Sequence, residues 1–80
     1  GTYTYLEGKK VKLFSVIPVE LSQAAKPGEV VAVEKDSIVV ATGEGALVIP
    51  ELQLEGKKRM PVKDFLLGYK MTPGMCFYAE

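Results

Sequence analysis

The sequence predicts a small, mainly β domain with five to six strands around a packed interior and one short helix before the last strand. Three observations support this prediction. The chain has 80 residues, which is enough for one compact domain. Its apolar, β-branched runs are joined by loops of about three residues, and such short connections allow only antiparallel pairing. After Met60 the apolar spacing changes from that of strands to that of a helix.

The first predicted strand covers residues 10–17. Val11 and Leu13 alternate with lysines, so the apolar side chains share one face of the strand. Pro18 is expected to end this strand, because proline has no N–H to donate to a neighbouring strand.

Four further strands are predicted in the middle of the chain, after a type II turn at Pro27 and Gly28. The first two of these strands, 29–34 and 38–42, are apolar on both faces, which is typical of strands that curve around the interior of a small barrel. Their short loops predict an antiparallel meander of three strands, after which a fourth run alternates again. The predicted strands are 29–34, 38–42, 46–49 and 51–54.

A two-turn helix is predicted from Pro61, because proline suits the first helical position. Apolar side chains recur at helical spacing from Val62 to Tyr69, and Gly68 is a plausible stop signal. The helix is expected to cover one end of the barrel. A closing strand follows at residues 75–78, in which Cys76 is expected to be a small buried residue.

The composition argues against catalysis by this chain alone. It contains no histidine, which removes the commonest general base, the commonest metal ligand and every Ser-His or Cys-His pair. The acidic residues stand singly in turns or beside lysines, so a catalytic carboxylate pair is not expected. We therefore expect no catalytic, cofactor-binding or metal-binding residue. No apolar run approaches the roughly 20 residues that span a bilayer, so we expect a soluble domain without a membrane partner.

The densest charge cluster is Lys57, Lys58 and Arg59, in the loop before the predicted helix. Three adjacent cations can contact successive phosphates and release counterions, which is the usual origin of sequence-independent RNA binding. Lys63 and Lys70 could widen this patch. A solvated loop without a ligand is the alternative interpretation of the same residues.

A second basic edge is predicted on the first strand. Lys10 and Lys12, together with Lys9, could extend the RNA-binding surface if the fold brings this strand near the loop cluster. Tyr3 and Tyr5 could offer stacking surfaces for bases, and packing against the protein is the alternative for both.

Five short motifs follow one another along the chain: LEGKKVK at 6–12, KPGEV at 26–30, TGEGAL at 42–47, ELQLEGKKRM at 51–60 and DFL at 64–66. In this order and at these spacings they resemble the C-terminal domain of methionyl-tRNA formyltransferases. The resemblance extends over nearly the whole chain, as far as Pro73 and Gly74.

The resemblance implies a closed Greek-key barrel, similar to an oligonucleotide-binding (OB-like) fold, that follows a Rossmann-like catalytic domain. That absent domain would bind 10-formyltetrahydrofolate and would transfer its formyl group to methionine on the initiator tRNA, with catalytic residues of its own. The barrel would hold the tRNA through its backbone. The expected RNA-binding residues are Lys57, Lys58, Arg59, Lys63, Lys10, Lys12 and Lys70.

The resemblance also sets the wider expectations. Residues 1–80 would be a single domain excised from a larger, monomeric formyltransferase in the bacterial cytoplasm or an organellar matrix. The ten Lys and Arg and ten Asp and Glu leave no net charge, whereas a tRNA-binding domain would be expected to be basic. The alternative is a structural spacer without an RNA role, as in 10-formyltetrahydrofolate dehydrogenases or sugar-nucleotide formyltransferases.

Overall fold

The computed structural model describes residues 2–21 and 23–78, which form nine strands and one helix. The predicted mainly β class with one short helix before the last strand is confirmed. The elements are β1 (Thr2–Leu6), β2 (Lys9–Phe14), β3 (Ile17–Val19), β4 (Val30–Val33), β5 (Ile38–Thr42), β6 (Gly45–Ile49), β7 (Glu51–Leu54), β8 (Met60–Pro61), α1 (Val62–Gly68) and β9 (Phe77–Tyr78).

The strands form two antiparallel sheets. The first has the order β8-β7-β2-β1-β9, and the second has the order β3-β6-β5-β4. The predicted meander is confirmed, since β4 pairs with β5 and β5 pairs with β6. The alternating run that follows leaves the meander, because β7 pairs with β2 in the first sheet.

A two-stranded ribbon passes from one sheet to the other. β2 pairs with β7 in the first sheet, while their chain neighbours β3 and β6 pair in the second. The predicted strand 10–17 is therefore divided near Ser15, whose φ of 53° departs from extended backbone. The prediction that Pro18 ends the strand is wrong. Pro18 lies within β3, and this strand tolerates proline because it lies at the edge of the second sheet, with a paired strand on one side only among the described residues.

β1 lies outside the predicted strands. It forms a hairpin with β2 through Glu7 and Gly8, with φ angles of 51° and 81°. Two central residues with positive φ give a turn whose twist matches that of the flanking strands. The alternation of threonine and tyrosine before a Glu-Gly pair is the local signal for this strand.

The segment before β9 joins the two sheets along one side. The Val30 N–H donates to the Met75 carbonyl at 2.7 Å, and the Phe77 N–H donates to the Gly28 carbonyl at 2.7 Å. Phe77 also pairs with Leu6 of β1. The segment therefore connects the edge strand β4 with β1, whereas a fully closed Greek-key barrel stays a prediction.

Two local predictions about residues close to this segment have different outcomes. The Glu29 N–H donates to the Lys26 carbonyl at 3.0 Å, and Gly28 has a φ of 91°, which confirms the type II turn. Cys76 is half-buried, so the prediction that it is a buried residue is wrong. Successive side chains of a strand point to opposite faces, and here Phe77 takes the buried position.

The core lies between the two sheets and α1. Its largest fully buried side chains are Leu6, Ile38, Ile49, Leu52, Val11, Val30 and Val62. α1 contributes Val62 and Phe65 to this core, as the helical spacing predicts. The helix begins one residue after the predicted start, because Pro61 pairs with Glu51 in β8 and keeps an extended ψ of 146°. No helix within the described residues is long and apolar enough to cross a membrane.

Tyr69 connects the end of α1 to the β1–β2 turn. Its ring stacks on Phe65 with 4.9 Å between centroids, and its hydroxyl donates to Glu7 Oε1. This hydrogen bond, with smaller effects of burial and of the Glu7 charge, raises the pKa of Tyr69 to about 12. The Tyr69–Glu7 hydrogen bond therefore stabilises the folded chain at any pH below the ordinary pKa of tyrosine. This stabilisation is lost as the pH rises through the raised pKa of Tyr69.

We expect Tyr69→Phe to lower the free energy of unfolding by about 1 kcal/mol at neutral pH, because one hydrogen bond is lost. The difference from the wild type should shrink as the pH rises from about 10 to about 12. Urea unfolding across this pH range measures it. The matched control is Tyr78→Phe, since Tyr78 is 62% exposed. A loss of stability in Tyr69→Phe that does not change with pH would contradict the role of Glu7.

Candidate nucleic-acid interface

The first sheet has a buried face and an outward face of different chemistry. Strand register places Tyr3 opposite Lys12 and Tyr5 opposite Lys10. Directly opposite residues share a face, while Val11 and Leu13 are buried on the other. Lys12 also faces Gln53 on β7, and Phe14 faces Glu51. We call this surface the outer face; it consists of Tyr3, Tyr5, Lys10, Lys12, Phe14, Glu51 and Gln53.

The cations of the outer face lie over its aromatic rings. Lys10 Nζ is 4.2 Å from the Tyr3 ring centroid, and Lys12 Nζ is 5.4 Å from the same centroid. Lys12 Nζ is also 5.4 Å from the Phe14 ring, and the Arg59 guanidinium carbon is 4.0 Å from that ring. These distances fall within the range of cation–π attraction. The fold therefore brings one cation of the predicted loop cluster close to Lys10 and Lys12 of β2.

Arg59 is also paired with an acid on this face. Its Nε and Nη2 donate to the two carboxylate oxygens of Glu51, each at 2.8 Å. The hydrogen bonds to Arg59 lower the pKa of Glu51, and those to Glu51 raise the pKa of Arg59. Glu51 therefore offsets part of the positive charge that Arg59 brings to the outer face.

The other predicted cations lie elsewhere on the surface. Lys57 lines a cleft of about 350 Å³ beside α1, together with Lys9 and Asp64. The remaining three, Lys58, Lys63 and Lys70, are exposed. Within residues 2–21 and 23–78, neither Lys9 nor any of these four predicted lysines forms an ion pair. The structure thus joins Lys10, Lys12 and Arg59, and the assignment of all seven predicted residues to RNA stays a prediction.

A shallow groove of about 190 Å³ lies on the outer face. Tyr3, Lys10 and Lys12 form part of its lining. The rest lies at the end of β7 and in the turn after it, and consists of Gln53, Leu54, Glu55 and Gly56. Gln53 and Glu55 are absent from the sequence-based candidates. Their place depends on the pairing of β7 with β2, for which the sequence carries no local signal.

Comparison with known proteins agrees with the resemblance seen in the motifs. The family model described as formyl transferase, C-terminal domain, matches residues 1–70. The methionyl-tRNA formyltransferase of Citrifermentans bemidjiense is 53% identical over 74 residues, covering 92% of this chain and 23% of that protein. That of Geobacter metallireducens is 48% identical over 75 residues, covering 94% and 24%. That of Paraburkholderia phymatum is 46% identical over 77 residues, covering 96% and 24%.

The chain thus spans about a quarter of the length of these curated relatives. The predicted resemblance is confirmed, because the family model covers most of the chain, including all five motifs up to residue 66. With the mainly β fold that the motifs predicted, the chain belongs to the formyl transferase C-terminal domain family.

Proposed function

We propose that this chain is the non-catalytic C-terminal domain of a methionyl-tRNA formyltransferase and that it binds the backbone of the initiator tRNA. A catalytic domain on the N-terminal side would take the formyl group from 10-formyltetrahydrofolate and transfer it to the methionine of that tRNA. The whole enzyme would act as a monomer in the bacterial cytoplasm. The names of the relatives support the parent enzyme.

The observation that supports RNA binding most directly is the grouping of Lys10 and Lys12 of the outer face with Arg59, whose guanidinium lies over the Phe14 ring. A chain with no net charge can bind a polyanion only where its cations are concentrated locally. Lys10 and Lys12 are two residues apart on one strand, so their Cα atoms are separated by about 7 Å. This separation is comparable with that of successive phosphates along one RNA strand.

Such contacts would position the substrate without taking part in bond formation. Phosphate contacts fix the register and orientation of a nucleic acid without reading its sequence. Holding the body of the tRNA raises the effective concentration of its aminoacyl end at a catalytic site in the same polypeptide. The chain's contribution to catalysis would therefore be an entropic one.

The double variant Lys10→Ala/Lys12→Ala is expected to weaken binding of initiator tRNA by the 80-residue chain. Because each lysine that contacts a phosphate releases a counterion, the slope of log affinity against log salt should fall by about one per lysine. Titrations of the tRNA at several salt concentrations measure both quantities. The triple variant Lys57→Ala/Lys58→Ala/Arg59→Ala tests the loop cluster in the same way.

The matched control is Lys26→Ala/Lys35→Ala, which removes two exposed lysines from loops next to the second sheet. The control should bind tRNA with the wild-type salt slope. An equal loss of affinity in both double variants would mean that overall charge, and not the outer face, determines binding.

A structural spacer is the second candidate function, as in the related dehydrogenases and sugar-nucleotide formyltransferases. The zero net charge and the pairing of Arg59 with Glu51 favour it, since both reduce attraction to a polyanion. The same titration separates the two functions. A spacer predicts no salt-dependent tRNA binding even at high micromolar concentrations of the chain.

A further inference from the structure

The groove on the outer face has the chemistry of a nucleotide site. Tyr3 lines the groove and is 52% exposed, so a planar group can reach its ring once the Lys10 side chain moves aside. Lys10 and Lys12 lie beside this ring and carry the charges that a phosphate needs. Aromatic rings next to cations are the usual means by which proteins hold single-stranded nucleic acids, because bases stack on the ring while cations follow the backbone.

The opposite wall of the groove is held in place by two hydrogen bonds. The Gln53 side-chain amide donates to the Lys57 carbonyl at 3.0 Å, and Glu55 Oε1 accepts the Lys10 backbone N–H at 3.3 Å. These bonds fix the polar wall before a ligand arrives, so little ordering remains to be done on binding.

A base-paired RNA helix cannot use the Tyr3 ring. Away from the duplex ends its base faces are stacked inside, so it offers phosphates, sugars and base edges to the outer face, but no free base face to the ring. An unpaired nucleotide can offer its base to the ring and its phosphate to the lysines at the same time. We propose that this groove takes one unpaired nucleotide of RNA, with the base stacked on Tyr3 and the phosphate held by Lys10 and Lys12. The proposal rests on the proposed function and adds a binding site for a base to it.

Without RNA, Lys10 occupies the space above the Tyr3 ring. A cation–π contact at an exposed site changes an equilibrium by about 2- to 5-fold. A base stacked on an aromatic side chain changes it by about 5- to 150-fold. The base therefore displaces the ammonium group from the ring, and the flexible lysine side chain stays close enough to contact the adjoining phosphate.

The test uses the 80-residue chain and two RNAs of matched charge: a short single-stranded uridylate oligomer that contains one 2-aminopurine, and a blunt-ended duplex. Tyr3→Leu is expected to weaken binding of the single strand by about tenfold and to leave duplex binding within about twofold. Tyr3→Phe keeps the ring and should bind the single strand as the wild type does. In the wild type, stacking on the ring should quench the 2-aminopurine fluorescence.

The matched control is Tyr78→Leu, because Tyr78 is an exposed tyrosine of the same sheet that does not line the groove. It should bind both RNAs as the wild type does, and circular dichroism should show every variant folded. If the wild type binds both RNAs in a salt-dependent way but Tyr3→Leu has no effect, or the 2-aminopurine is not quenched, the nucleotide site is wrong and the proposed function stands. If neither RNA shows salt-dependent binding, the proposed function fails as well.

Discussion

Replacement of Gly28 by alanine is expected to lower the free energy of unfolding by about 3–5 kcal/mol. Gly28 has a φ of 91°, which side chains rarely allow, and an added Cβ would collide with the Phe77 carbonyl oxygen. To relieve this collision, Gly28 and Phe77 would have to move apart. That movement would break the hydrogen bond from the Phe77 N–H to the Gly28 carbonyl at 2.7 Å and the one from the Gly28 N–H to the Ala41 carbonyl at 2.8 Å. A chain of this size is stable by only about 4–12 kcal/mol, so urea unfolding should show a large loss or a chain that is already unfolded.

The control for this prediction is Gly43→Ala. A Cβ added to Gly43 would meet no atom of the described residues within 4 Å, and the φ of Gly43 lies outside the left-handed region. Its replacement should change the free energy of unfolding by no more than about 0.5 kcal/mol. If both glycine variants lost the same stability, the close approach of Gly28 to Phe77 would not be the cause.

The second large effect is expected for Leu52→Ala. Leu52 is fully buried on β7, between β8 and β2 of the first sheet, and lies opposite Leu13 of β2. The substitution removes buried apolar surface and leaves a cavity, because strands held by neighbours on both sides cannot collapse into it. Changes of this kind usually cost about 2–5 kcal/mol, which urea unfolding measures directly.

Leu67→Ala provides the matched control, since Leu67 is 85% exposed on α1. The same chemical change should there alter stability by no more than about 0.5 kcal/mol. A similar loss in both leucine variants would indicate an effect on the unfolded chain and not the loss of core packing.

The sequence predicts those parts of the fold that depend on local signals. The strands of the meander and the turn at Gly28 follow from β-branched runs and from turn residues that act within a few positions. The helix likewise follows from its apolar spacing. The division of strand 10–17 near Ser15 has no local signal, because it depends on the pairing of β3 with β6 in a second sheet. The position of Pro18 in an edge strand depends on the same pairing.

The candidate interface was predictable only in its components. The basic loop and the lysines of β2 are visible as short runs in the sequence. Their approach depends on strand register, which places Phe14 where both Lys12 and Arg59 contact its ring. The Arg59–Glu51 ion pair joins residues on either side of the β7–β8 turn and likewise depends on the fold. Residue types thus indicated the chemistry, and tertiary pairing decided which residues share a surface.

The pairing of β9 with β1 has a consequence for the order in which the chain can fold on the ribosome. Phe77 and Tyr78 pair with Leu6 and Tyr5, which are made more than seventy residues earlier. The β1–β2 hairpin can form as soon as both of its strands have left the exit tunnel. The other side of β1 stays unpaired until β9 has been synthesised. Until then this strand is exposed to other nascent chains, so rapid completion of synthesis protects it.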